Sequence, residues 1–147
     1  MDLIIYEVNM VKWILLALIS LNLSEGEWKK KLGEERYRVM RLKGRERAFV
    51  GQYVYTRAPG IYHCAACDSP LFSSEHKYDS GSGWPSFTQP ISKEAVYFQE
   101  DLRPPLKCYE VLCRSCDCHL GHIFPDGPPP RYKRYTIQSI SLILQGE

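Results

Sequence analysis

Two identical cysteine turns, Cys64-Ala65-Ala66-Cys67 and Cys113-Arg114-Ser115-Cys116, constrain this chain more than any other feature. Two residues between thiols let both sulfurs of a turn face one ion, and two such turns complete a tetrahedral set of four. Each turn follows a β-prone run, Gly60 to His63 and Tyr109 to Leu112, so two knuckles at hairpin tips are expected. Four thiolates leave no open coordination position, which makes one structural Zn²⁺ the first reading. Iron is a minor variant, and disulfides or a redox pair are the competing readings. With 147 residues, 44% of them hydrophobic, the chain can build a core without disulfide staples, and metal ligation is preferred.

Cys108 and Cys118 flank the second turn. Cys118 stands next to His119 and outside the doubled pattern, either as a small buried side chain or as a reactive thiol. Cys108 lies on a strand before the clip, and a disulfide joining it to Cys118 is not the simplest pairing.

Ser24-Glu25-Gly26-Glu27 fits a capping box and predicts a short surface helix carrying Trp28 and Leu32. A second helical stretch, Glu34 to Lys43, ends at Gly44 as a left-handed stop. Beyond it come short β-prone runs: Gln52 to Thr56, Gly60 to His63, Ala95 to Gln99, Lys107 to Leu112 and Tyr135 to Leu144. In the last run, alternation puts Thr136, Gln138, Ile140, Leu142 and Leu144 on one face. The prolines of Pro125 to Pro130 force a loop before it.

Val11 to Leu23 is apolar, is interrupted by Lys12, and is short for a bilayer span. It has the length of a secretory h-region, although Asp2 and Glu7 argue against one. Residues 1–23 are therefore read as an apolar extension or a signal or anchor, and 24–147 as one domain. The compartment is the secretory pathway or the cytoplasm, depending on that segment. The net charge of +2 comes with no long like-charged block, so nucleic acid is not the expected partner.

Between the knuckles lies Tyr78-Asp79-Ser80-Gly81-Ser82-Gly83-Trp84-Pro85-Ser86-Phe87, a glycine-punctuated loop able to expose a tryptophan face. After the second knuckle comes His119-Leu120-Gly121-His122-Ile123-Phe124, then Arg134-Tyr135-Thr136-Ile137-Gln138-Ser139. A single histidine or tryptophan is more often structural than catalytic; the combination shifts that balance.

These segments, with Gly60-Ile61-Tyr62, Pro70-Leu71-Phe72 and Asp126-Gly127-Pro128, stand in an order that closely resembles the B-type methionine sulfoxide reductases from about Glu27 to Leu144. The resemblance implies a mainly β fold of two antiparallel sheets with short N-terminal helices and a four-cysteine zinc clip distant from the active site. It implies reduction of methionine-R-sulfoxide, free or in oxidised proteins, by a monomer that draws electrons from thioredoxin or a similar dithiol. Carried over by motif, Trp84 walls the substrate methyl group and His119 and His122 orient substrate and move protons. Phe124 and Arg134 shape and polarise the site, and Gln138 replaces a family asparagine.

Thr136 occupies the position of the family's nucleophilic cysteine, and Ser82 that of a common resolving cysteine. A threonine hydroxyl is far less acidic than a thiol and cannot pass through sulfenic acid and disulfide states. Low turnover is expected, with Cys118 the candidate for a relocated thiol. The alternative is a catalytically impaired relative that binds methionine sulfoxide or a protein partner. A zinc-ribbon module for nucleic acid or protein would account for neither the Gly-Trp-Pro loop nor the histidines.

Overall fold

The computed structural model describes residues 23–103 and 108–146, so the N-terminal extension up to residue 22 lies outside the described residues. Ser24 caps the first helix, α1 (Glu25–Leu32), accepting the Glu27 backbone N–H and burying Trp28 and Leu32. The second, α2 (Glu34–Met40), stops short of the expected Lys43. Its exit turn takes a left-handed residue at Lys43 (φ 59°), and the Gly44 N–H closes on the Arg38 carbonyl. Among the described residues no helix is long and apolar enough to cross a membrane.

The rest is β structure in two antiparallel sheets. The smaller comprises β1 (Gly60–Cys64), β2 (Pro70–Ser73) and β9 (Leu142–Gly146), in the order β2-β1-β9. The larger comprises β3 (Lys77–Tyr78), β4 (Ser86–Phe87), β5 (Val96–Asp101), β6 (Cys108–Cys113), β7 (His119–Phe124) and β8 (Arg134–Ile137), in the order β3-β4-β8-β7-β6-β5. Aromatic side chains join the two sheets. Phe72 of β2 stacks on Phe87 of β4 at 4.5 Å between ring centroids, and Tyr62 of β1 meets Phe87 edge-on at 5.3 Å.

Two expected strands are corrected. Gln52 to Thr56 forms turns, because the Tyr53 N–H is taken by the Ser139 hydroxyl while the Tyr53 hydroxyl accepts the Leu144 N–H. Tyr135 to Leu144 is not one strand but two, in different sheets, joined by a 3₁₀ turn at Ser139–Ser141. Glu46 forces the break: its carboxylate accepts the backbone N–H groups of Ser139 and Ile140, which a continuing strand would have offered to a neighbour. Alternation therefore does not run through from Thr136 to Leu144, and Gln138 sits past the end of β8.

Candidate active site and metal centre

The two cysteine knuckles close the ends of β1 and β6, one strand from each sheet. Each turn finishes on a left-handed aspartate, Asp68 (φ 66°) and Asp117 (φ 62°), whose N–H returns to the carbonyl of the first cysteine at 2.8 Å. Aspartate tolerates that conformation better than most residues. The Sγ atoms of Cys64 and Cys116 lie 3.7 Å apart and those of Cys67 and Cys113 3.6 Å, with all four within 4.8 Å of one another. A tetrahedron of thiolate–metal bonds of about 2.3 Å has edges of about 3.8 Å, so the four sulfurs are set to hold a metal ion.

The second site lies on the face of the larger sheet away from the aromatic core. Residues directly opposite on neighbouring strands share a face, and the register runs Ser86–Thr136–His122–Glu110–Gln99 across β4, β8, β7, β6 and β5. His119 joins this row for a reason the sequence conceals. Two strand residues three apart should point to opposite faces. The ladder slips between Val111 and Leu112, pairing Leu112 with His119 and leaving Leu120 without a partner. This bulge turns Leu120 into the core and brings both imidazoles to one side, 5.4 Å apart. Gly121 follows because a Cβ there would collide with the Thr136 carbonyl of β8.

Each imidazole leans on a carboxylate that sequence reasoning missed. His119 donates from Nδ1 to Glu110 Oε2 at 2.6 Å, and Lys43 pairs with the other Glu110 oxygen at 3.0 Å. Burial pushes the Glu110 carboxyl up, but the His119 and Lys43 contacts outweigh it and leave a net lowering. His122 donates from Nε2 to Asp101 Oδ2 at 2.9 Å. Arg103 grips the same carboxylate and holds Asp101 well below the usual carboxylate range. Burial lowers His122 from its ordinary value in spite of Asp101, so the ring is neutral at pH 7. The sequence signal was a glutamate in alternation with Cys108 on an otherwise apolar strand, both facing the site.

A cavity of about 400 Å³ opens over this row, lined by Lys43, Arg45, Asp101, Arg103, Cys108, His119, His122, Phe124 and Gln138, with Gly44 completing the wall. Four sequence-selected residues thus meet in it. Thr136 and Arg134 adjoin it: Arg134 donates to Thr136 Oγ1 at 2.9 Å, lies 4.4 Å from the Phe124 ring centroid and is held by Asp126. Trp84 is joined through Glu46, whose carbonyl accepts the indole N–H at 3.1 Å, and through Arg45, which lies over the ring. Glu46 also donates its backbone N–H to Gln138 Oε1 at 2.8 Å, fixing that amide. Ser82 bonds within the loop preceding Trp84. Cys118 lies elsewhere: it is buried beside the clip, with its Sγ 4.0 Å from Arg41. Cys108, which sequence reasoning set aside, is the thiol in the cavity.

The SelR domain family matches residues 32–146, most of the chain. The chain belongs to the SelR family, the B-type methionine sulfoxide reductases. Within this family the chain is 53% identical to the peptide methionine sulfoxide reductase MsrB of Azotobacter vinelandii over 118 residues, 80% of this chain and 89% of that protein. It is likewise 53% identical over 117 residues to the MsrB of Pseudomonas aeruginosa. Similarity extends to the chloroplastic reductase B1 of Oryza sativa, 50% identical over 126 residues, 86% of this chain and 59% of that one. The expected architecture, mainly β with two antiparallel sheets and short N-terminal helices, is the one found here.

Proposed function

We propose that this chain reduces methionine-R-sulfoxide, free or in oxidised proteins, to methionine, and so serves protein repair. Family membership supports the reaction, and one observation carries the site assignment: the Leu120 bulge places His119 and His122 on one face, opposite Thr136, at the wall of an open cavity. Phe124 and Trp84 supply apolar surface for the substrate methyl group. His119 has committed Nδ1 to Glu110, and as the doubly protonated ring it would donate from Nε2 to the sulfoxide oxygen. His122, backed by Asp101, moves the proton that the departing oxygen needs. Arg134 adds positive charge beside Thr136 Oγ1.

The four-cysteine cluster fits Zn²⁺, because its sulfur separations match the edges of a thiolate tetrahedron. Bound there, zinc has a structural task, tying β1 of one sheet to β6 of the other. The reductant is an external dithiol of the thioredoxin kind.

Thr136 sets the rate. Its hydroxyl cannot attack sulfur as a thiolate would, so turnover with dithiothreitol is expected to be low and to rise on Thr136→Cys. Gln138→Asn is not expected to help, because the shorter amide would release the Glu46 N–H that Gln138 now accepts. Equal rates in the native chain and Thr136→Cys would refute this reading of position 136. The second reading, an impaired relative that only binds methionine sulfoxide or a protein partner, is favoured by the Arg134–Thr136 bond and predicts binding with no turnover at all.

A further inference from the structure

We propose that Cys108 is the redox thiol of this protein and attacks the sulfoxide from the β6 side of the cavity, a role that rests on the substrate reading above. Cys108 pairs across the ladder with Asp101 and stands two residues before Glu110, so it shares the face of the histidines. Its Sγ, an Asp101 carboxylate oxygen and a His122 ring nitrogen lie within 4.8 Å of one another, and the residue lines the cavity. His122 therefore has Thr136 on one side and Cys108 on the other. Of the remaining five thiols, four form the clip and Cys118 is buried next to it.

The surroundings favour a thiol over a second metal ion. Asp101, Cys108 and His122 offer donors that a divalent cation accepts, but Arg103 already holds both Asp101 oxygens, Nε to Oδ1 at 3.0 Å and Nη2 to Oδ2 at 2.8 Å. Lys43, Arg45 and Arg103 also outnumber the carboxylates Asp101 and Glu110 around the cavity. That balance repels a second cation. Burial and Asp101 push the Cys108 thiol up from its ordinary value, so the resting group is protonated, and His122 is within reach of the proton.

The step transfers one oxygen. The sulfoxide S–O bond breaks, an S–O bond forms on Cys108 Sγ, and the substrate sulfur gains the two electrons that the cysteine sulfur loses. The thiol proton ends on the oxygen, giving methionine and Cys108 sulfenic acid. One thiol of an external dithiol then displaces water to form a mixed disulfide, and its second thiol releases Cys108 and leaves as the oxidised dithiol.

The test uses reduced, metal-loaded protein freed of reductant and exposed to methionine-R-sulfoxide, with dimedone to trap sulfenic acid and peptide mass spectrometry to locate it. Expected are methionine release approaching one equivalent and an adduct on Cys108, both lost in Cys108→Ser and Cys108→Ala variants that retain the metal and the native circular dichroism. An adduct on Cys118 or a clip cysteine, methionine release that survives in both variants, or a second equivalent of metal lost with Cys108→Ser each overturns the proposal. Histidine-ring NMR shifts on adding methionine-R-sulfoxide separate the two levels. Shifts without Cys108 oxidation overturn the thiol alone, whereas no shift removes the substrate reading with it.

Discussion

The cysteine clip and the histidine cavity share strand β6, yet they are built in opposite ways. The clip is two copies of one short turn, each ending on a left-handed aspartate, and every ligand is fixed by its neighbours in sequence. The cavity uses each device once: a bulge at Leu120, a close approach at Gly121, and carboxylates delivered from β5 and β6. Repetition of that kind suits a part whose task is to stay put, while single-use contacts leave room for one residue to change without the rest. Damage to the clip should therefore appear as lost stability, and damage to the cavity chiefly as lost binding or turnover.

The strongest challenge to this contrast is Cys67→Ser. Metal binding to four thiolates is largely folding free energy, and a domain of this size has about 5–15 kcal/mol in hand. The variant is expected to lose its metal and much of its thermal transition, as read by elemental analysis and calorimetry; a native melting curve without metal would make the clip dispensable.

Gly121→Ala comes next. Its Cβ meets the Thr136 carbonyl, so β7 and β8 must part, at a cost of about 3 kcal/mol by analogy with overpacked cores. This cavity lesion should register in chemical denaturation as well as in turnover, and it marks where the two regions share a support.

Glu110→Gln should cost ~2 kcal/mol, the range for weakening a buried charge-assisted hydrogen bond, with a pH signature. The Glu110 carboxyl is held below its ordinary value of 4.5, so its contribution is present above that pH and disappears as pH falls through the lowered value. Stability of the native chain and the variant should converge in acid and diverge toward neutrality; a constant gap would show that His119 does not depend on this charge.

The smallest expected effect is Trp84→Ala, about 1.4 kcal/mol or tenfold in methionine-sulfoxide affinity, with an almost unchanged melting temperature. A large stability loss instead would mean that the Trp84–Glu46 hydrogen bond is structural, and would blur the division between the two regions.

How much of this could be read in advance follows the same division. The clip was legible to the residue, since Cys-x-x-Cys encodes its own geometry. The helix start at Ser24 and the strands leading into both knuckles were legible too, from capping and alternation. The break after Ile137 was not, because its cause is Glu46, a residue some ninety positions earlier in the chain that reaches the backbone of Ser139 and Ile140. The pairing of His119 with Glu110, of His122 with Asp101 and the approach of Cys108 to His122 depend on register between strands, which local patterns do not carry.

The unpaired Leu120 also determines which kinds of sequence change this protein can absorb. Replacing one side chain on the cavity face, as at position 136, leaves both imidazoles where they are. Removing Leu120 would erase the slip and leave His119 and His122 two apart, still on one face by simple alternation, but it would take from the core the leucine that the bulge delivers there. The extra residue thus lets β7 keep a bulky side chain in the core at a place where Gly121, held small by the Thr136 carbonyl, supplies none.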